Sequence, residues 1–177
     1  MLKDKGSLDI SHFKEVVFDG EPLQIDKTIQ DRVTQSFEFL KEFSENKIIY
    51  GVNTGFGPMA QYKIQDSERI QLQYNLIRSH ASGTGNPISP RCVKAAMLAR
   101  LNTLCLGNSG VHISVITLMT ELINRDITPL IFEHGGVGAS GDLVQLAHLA
   151  LVLIGEGEVF YKGELRPTEE VFKIEKL

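Results

Sequence analysis

Basic runs are missing from this chain of 177 residues. With a net charge of -4 and a pI near 5.7 it offers no electrostatic footprint for nucleic acid, and no such partner is expected. No apolar stretch approaches the roughly 20 residues needed to span a bilayer. The polar opening Met1-Leu2-Lys3-Asp4-Lys5-Gly6 also lacks the apolar centre of a signal peptide. A cytoplasmic protein without a membrane partner is the expectation. Cysteine is scarce: Cys92 and Cys105 fall in one expected helix, out of reach for a disulfide, and are read as reduced, buried thiols. The histidines, His12, His80, His112, His134 and His148, show no paired ligand spacing, so no metal site is expected. Repeats, low-complexity segments and Pro/Gly/Ser linkers are absent too. Residues 1–177 therefore read as one unit, long enough to bury a substantial core.

What is present is mostly helical periodicity. Apolar Ile29, Val33, Phe37, Leu40 and Phe43 recur at three- and four-residue steps and predict an amphipathic helix from Thr28 to Glu45. Asp66 is expected to cap a second helix, Ser67 to about Ser79. Ser89-Pro90 starts a third, with Met97, Leu98, Leu101, Leu104 and Cys105 as its buried face and Gly107 as its stop. A fourth covers about His112 to Asn124. Asp142 is expected to cap a nearly all-apolar helix, Leu143 to Ile154, buried on all sides and ended by Gly155, with His148 as a hydrogen-bonded core histidine. Two hairpins are expected near the ends. One joins Val16-Val17-Phe18 to Leu23-Gln24-Ile25 around Asp19-Gly20, with Pro22 weakening its second strand. The other joins Glu158-Val159-Phe160-Tyr161 to Glu164-Leu165-Arg166 around Lys162-Gly163. The fold class is mainly α.

Between the last two helices stands Gly135-Gly136-Val137-Gly138-Ala139-Ser140-Gly141-Asp142. The Gly141 nitrogen can attack the Ala139 carbonyl carbon, and loss of two waters then leaves a 4-methylidene-imidazole-5-one in place of Ala139-Ser140-Gly141. This is an electrophile, which no ordinary side chain is. Gly141 supplies an unhindered nitrogen and a bendable backbone, Ser140 the departing hydroxyl, and Ala139 an open carbonyl. The same letters match the dinucleotide fingerprint at Gly136, Gly138 and Gly141, which requires a strand before it, a helix after it and pyrophosphate at that helix's N-terminus. Asp142 at the helix start would repel those phosphates.

Two further blocks accompany the tripeptide. Tyr50-Gly51-Val52-Asn53-Thr54-Gly55-Phe56-Gly57-Pro58 is a glycine-punctuated loop opened by a tyrosine, and Asn75-Leu76-Ile77-Arg78-Ser79-His80-Ala81-Ser82-Gly83-Thr84-Gly85 closes a predicted helix. With Leu146-Ala147-His148 these blocks, in this order, resemble the aromatic amino acid ammonia-lyases that act on histidine, phenylalanine and tyrosine. The likeness runs from about Lys27 to about Gly163. It implies the N-terminal part of the ammonia-lyase fold and a fragment of a longer chain whose remaining pocket residues lie beyond Leu177. It also implies a homotetramer with active sites shared between subunits, and a small aromatic amino acid as substrate.

The resemblance assigns roles residue by residue. Tyr50 matches the catalytic tyrosine; its phenol, with an ordinary pKa of about 10, would need lowering to act near neutrality. The other reading of Tyr50 is that it ends an apolar strand, Ile48-Ile49-Tyr50, and packs. Ser79 and His80 match the substrate-selecting pair, where a histidine hydrogen-bonds an imidazole or a phenol hydroxyl and disfavours phenylalanine; otherwise His80 bonds the last carbonyls of its helix. Gly57 lets backbone approach the ligand, and Leu143 contacts its ring. The pair resembles histidine lyases, whereas Gly-Pro-Met-Ala-Gln-Tyr after the tyrosine and Ile-Phe-Glu-His-Gly-Gly before the tripeptide resemble tyrosine lyases. Histidine, tyrosine and an aminomutase using the same electrophile all stay open. So do a dinucleotide-binding module and a short chain that only binds partners through exposed helices. Phe132, Gly136 and Val144-Gln145 depart from the family's usual proline, serine and Ala-Pro; they bear on substrate fit more than on cyclisation.

Overall fold

The computed structural model describes residues 8–45, 47–55, 60–137 and 143–177. The chain enters through a short helix α1 (Ile10–Lys14) that widens into one π turn, Glu15–Asp19, closed by Gly20 at φ +72°. The expected hairpin does not form here. Val16 and Val17 are both buried, and a strand would send adjacent side chains to opposite faces, whereas this turn carries both into the core. The second half of the expected hairpin finds another partner. The Leu23 N–H donates to Asn124 Oδ1 at 2.7 Å, and its carbonyl accepts from Asn124 Nδ2 at 2.9 Å, so a side chain replaces the strand ladder.

Helix α2 (Lys27–Ser44) begins at Asp26, whose carboxylate accepts from the Thr28 N–H at 2.9 Å and is held below its usual pKa by that bond. Helix α3 (Asp66–His80) starts one residue earlier than expected: Asp66 is its first residue and Gln65 its N-cap, without a side-chain bond. Strand β1 (Thr84–Pro87) follows. Helix α4 (Pro90–Cys105) has Ser89 as cap and proline at its first position, and it ends before Gly107 at φ +73°. Helix α5 (Ile113–Asn124) is capped by His112, which accepts from the Ser114 N–H through Nδ1.

Short strands β2 (Thr128–Pro129) and β3 (Phe132–His134) break the segment before helix α6 (Leu143–Leu153). Strand β3 pairs antiparallel with β1. Strands β4 (Glu158–Tyr161) and β5 (Glu164–Pro167) form the expected C-terminal hairpin, and β2 adds to its edge in the order β2-β4-β5. Its loop, Lys162-Gly163, has φ of +51° and +84°, the doubly left-handed turn that matches strand twist. Helix α7 (Thr168–Glu175) covers the hairpin.

The core lies where α4 and α5 cross. Met97, Leu98, Leu101, Met119, Leu122 and Ile123 are fully buried there, with Ile29 and Val33 from α2 on one side and Val159 and Val171 on the other. Cys105 is buried as expected, and burial pushes its thiol up to about 11. Cys92 is exposed, contrary to expectation, because the α4 stripe that buries Val93 and Met97 turns position 92 outward. Helix α6 also departs from expectation. Ala147, Leu149 and Val152 are buried, but Leu143 and Leu146 are 47% and 38% exposed, leaving an apolar stripe open. Among the described residues no helix is long and apolar enough to cross a membrane.

Candidate active site

The open stripe of α6 is one wall of a groove of about 720 Å³. Leu76, Ile77 and His80 from the end of α3 form the facing wall, and Leu104, Val115 and Met119 of α4 and α5 form the floor. Tyr50 reaches it from the glycine-punctuated loop. Three of the residues picked out in the sequence, Tyr50, His80 and Leu143, thus meet from three separate segments, in a lining otherwise almost wholly apolar. Apolar walls with a few polar groups suit a small aromatic ligand.

Tyr50 does not end a strand. It sits in a turn, 63% exposed, with Gly51 behind it at φ +75°. The turn is built by Asn53, a residue sequence reading passed over. Its side chain is almost fully buried, accepts from the Ile49 N–H at 2.8 Å and donates to the carbonyls of Ser44 at 3.0 Å and Lys47 at 2.7 Å. One amide therefore satisfies a terminal carbonyl of α2 and folds the chain back beneath Tyr50. Thr54, equally buried, receives the Gly51 N–H at 3.3 Å and bridges to Lys63. The sequence offered little signal, as only placement inside a glycine loop separates Asn53 and Thr54 from ordinary turn residues, and their burial shows only in the fold.

His80 adopts the helix-end contact anticipated for it and lines the groove as well. Its Nδ1 lies 2.9 Å from the Leu76 carbonyl and 3.1 Å from Ser79 Oγ. A carbonyl only accepts, so Nδ1 carries the proton and Nε2 of the neutral ring is left as an acceptor. Ser79 is exposed and turned back to the Leu76 carbonyl at 3.1 Å; it supports the ring and does not line the groove. Arg100 of α4 also lines the groove, one turn before Leu104 on the same face, a spacing that could have marked it. Arg78 pairs through Nε and Nη2 with Glu156 at 3.0 and 2.5 Å, tying α3 to the turn after α6 across the surface.

Gly57, Ala139, Ser140, Gly141 and the Asp142 cap lie outside the described residues. The ends of the tripeptide's loop are described, and they are drawn tightly together. Gly135 stands at φ +141°, and a Cβ there would come within 2.5 Å of Val144 Cγ1 and 3.4 Å of the Gly83 Cα. Only glycine fits that neck, which closes the chain on itself from 135 to 144. Around the loop β3 runs antiparallel to β1, and among the described residues no parallel βαβ unit surrounds the glycines; the dinucleotide fingerprint lacks its context.

A family model described as aromatic amino acid lyase matches residues 8–177. The histidine ammonia-lyase of Deinococcus radiodurans is 41% identical over 97% of this chain and 33% of its own length. The tyrosine 2,3-aminomutase of Chondromyces crocatus is 43% identical over 99% of this chain and 34% of its own. Among solved structures, the phenylalanine aminomutase of Pantoea agglomerans superposes with a TM-score of 0.89 at 31% identity, over 96% of this chain and 33% of that one. The chain spans about a third of the length of the curated relatives it matches.

Proposed function

Since the chain belongs to the aromatic amino acid lyase family, we propose that it forms the N-terminal portion of an enzyme that eliminates ammonia from tyrosine or histidine. The convergence of Tyr50, His80 and Leu143 on one apolar groove carries this reading. The groove accepts the ring against Leu143 and Leu146, and His80 Nε2 accepts a hydrogen bond from a phenol hydroxyl or an imidazole N–H. Phenylalanine would leave that acceptor unpaired, which disfavours it. Tyr50, raised on the Asn53 turn, is the candidate base for the β-proton. Ala139, Ser140 and Gly141 would supply the methylidene-imidazolone, whose chemistry is to make the substrate nitrogen a better leaving group. The closed neck at Gly135 and Val144 supports the cyclisation that makes it. Relatives named both lyase and aminomutase align equally well, so return of ammonia to the adjacent carbon is the second reading.

The groove is open along Leu143 and Leu146, and the full pocket takes in residues this chain does not contain. The 177-residue chain by itself is expected to retain an uncyclised tripeptide and to release no ammonia. The intact enzyme is a homotetramer in this reading, acting in the cytoplasm. Intact-mass measurement tests the chemistry: a longer form should lack the mass of two water molecules, and Ser140→Ala should restore it. A full-mass longer form would refute the electrophile. Ammonia release by the short chain, with the two-water loss, would refute its incompleteness.

A further inference from the structure

His148 is a polar group on α6 that the groove does not use. Its Nε2 accepts the Gly83 N–H at 3.0 Å, which places the ring proton on Nδ1. Its ring meets Phe132 of β3 edge-on with centroids 5.5 Å apart. Gly83 lies just beyond His80, where the chain leaves α3. The approach is close: a Cβ on Gly83 would stand 2.9 Å from His148 Nε2 and 3.2 Å from Phe132 Cβ, so a side chain there would push the ring off the amide. Gly83 in turn abuts Gly135, and Gly135 abuts Val144, at the neck of the loop that holds Ala139-Ser140-Gly141. One unbroken line of contact therefore runs from the His80 segment through His148 and Gly83 to that neck.

We propose that His148 is a positioning residue: by accepting a hydrogen bond from the Gly83 N–H it locks the chain leaving His80 onto α6, and so sets the spacing of the two groove walls and of the loop neck. A leucine or phenylalanine of similar bulk would fill the space yet leave a half-buried N–H without an acceptor. The ring is needed for its nitrogen as much as for its volume. The consequence for catalysis rests on the lyase reading, but the positioning does not.

Nitrogen-resolved NMR of the 177-residue chain tests the proposal. The wild type should show His148 as the Nδ1–H tautomer with Nε2 accepting, and a slowly exchanging Gly83 amide. In His148→Leu, Gly83 exchange should accelerate about tenfold or more, and the His80 ring nitrogens should shift as the Leu76 contact loosens. Exchange at Leu101 in the core should not change. His148→Gln, whose carbonyl oxygen can accept, should recover most of both signals. An Nε2–H tautomer in the wild type, or an unchanged Gly83 amide in His148→Leu, would overturn the proposal. Equal acceleration at Gly83 and Leu101 in both variants would also overturn it, reducing His148 to core filling. Should the leucine variant not fold, the wild-type tautomer and the glutamine variant decide alone. Failure of the lyase reading is seen separately, as absence of the two-water mass loss in a longer form with these NMR signals intact.

Discussion

Replacing Asn53 should dismantle the platform under Tyr50, and the size of the effect follows from its bonds. The side chain makes three hydrogen bonds, to Ile49, Ser44 and Lys47, at nearly complete burial. At about 1 kcal/mol net for each, Asn53→Ala costs about 3 kcal/mol. The unmet groups differ in exposure: Lys47 is exposed and Ile49 half-buried, so water replaces those partners in part, while Ser44 is buried and its carbonyl is left bare. The loss in global stability is capped by the free energy at which the loop opens locally, so exchange at the Ile49 and Val52 amides is the sharper assay than thermal melting.

Asn53→Asp is the stricter test. A carboxylate still accepts from Ile49 but faces the Ser44 and Lys47 carbonyls with no donor to offer, which raises its folded pKa above the unfolded value of about 3.9. A group raised in this way is best tolerated below its unfolded pKa, and stability falls as pH rises through the folded one. The variant should therefore be looser at pH 7 than at pH 4 relative to wild type. Exchange at Ile49 in Asn53→Asp that matched wild type at pH 7 would refute the reasoning.

Leu101→Ala, at a fully buried site of α4, should cost about 3 kcal/mol and lower the midpoint of thermal unfolding by about 6–12 °C for a chain of this size. Burial holds the His148 pKa below its ordinary value. Because the unfolded chain then binds the proton more readily, stability should be full above about pH 6.5 and decline as pH falls toward the depressed folded value, and denaturant titrations at pH 7.5 and 5 should differ in that direction. In a longer, active form, His80→Phe should raise the rate on phenylalanine relative to tyrosine and histidine, checked by ultraviolet detection of the unsaturated acids. Equal rates on all three before mutation would remove His80 from substrate selection.

Much of this architecture could be read locally. Ser89-Pro90 started α4 as its capping chemistry requires, the Met97 to Cys105 stripe was buried, and Lys162-Gly163 turned the C-terminal hairpin, because each depends on residues within a few positions. Local preference misled where a distant partner intervened. The Leu23 backbone is claimed by Asn124, about a hundred positions away in sequence, so the first hairpin had no ladder to join. The α6 stripe looked like pure core because apolar content records that a face seeks cover, not what covers it; here Leu143 and Leu146 line a groove.

The order and spacing of Ala139-Ser140-Gly141, the tyrosine loop and Ser79-His80 are written in the covalent chain, so the sequence by itself determined the family and the helical class. That Tyr50, His80 and Leu143 share one groove depends on how α3 and α6 pack around α4 and α5. That a side chain at position 83 would crowd its surroundings depends on a histidine 65 positions later reaching the Gly83 amide. Side chains far apart along a chain carry no mark of meeting until the hydrophobic core brings their elements together, and only the tertiary structure decides which of them do.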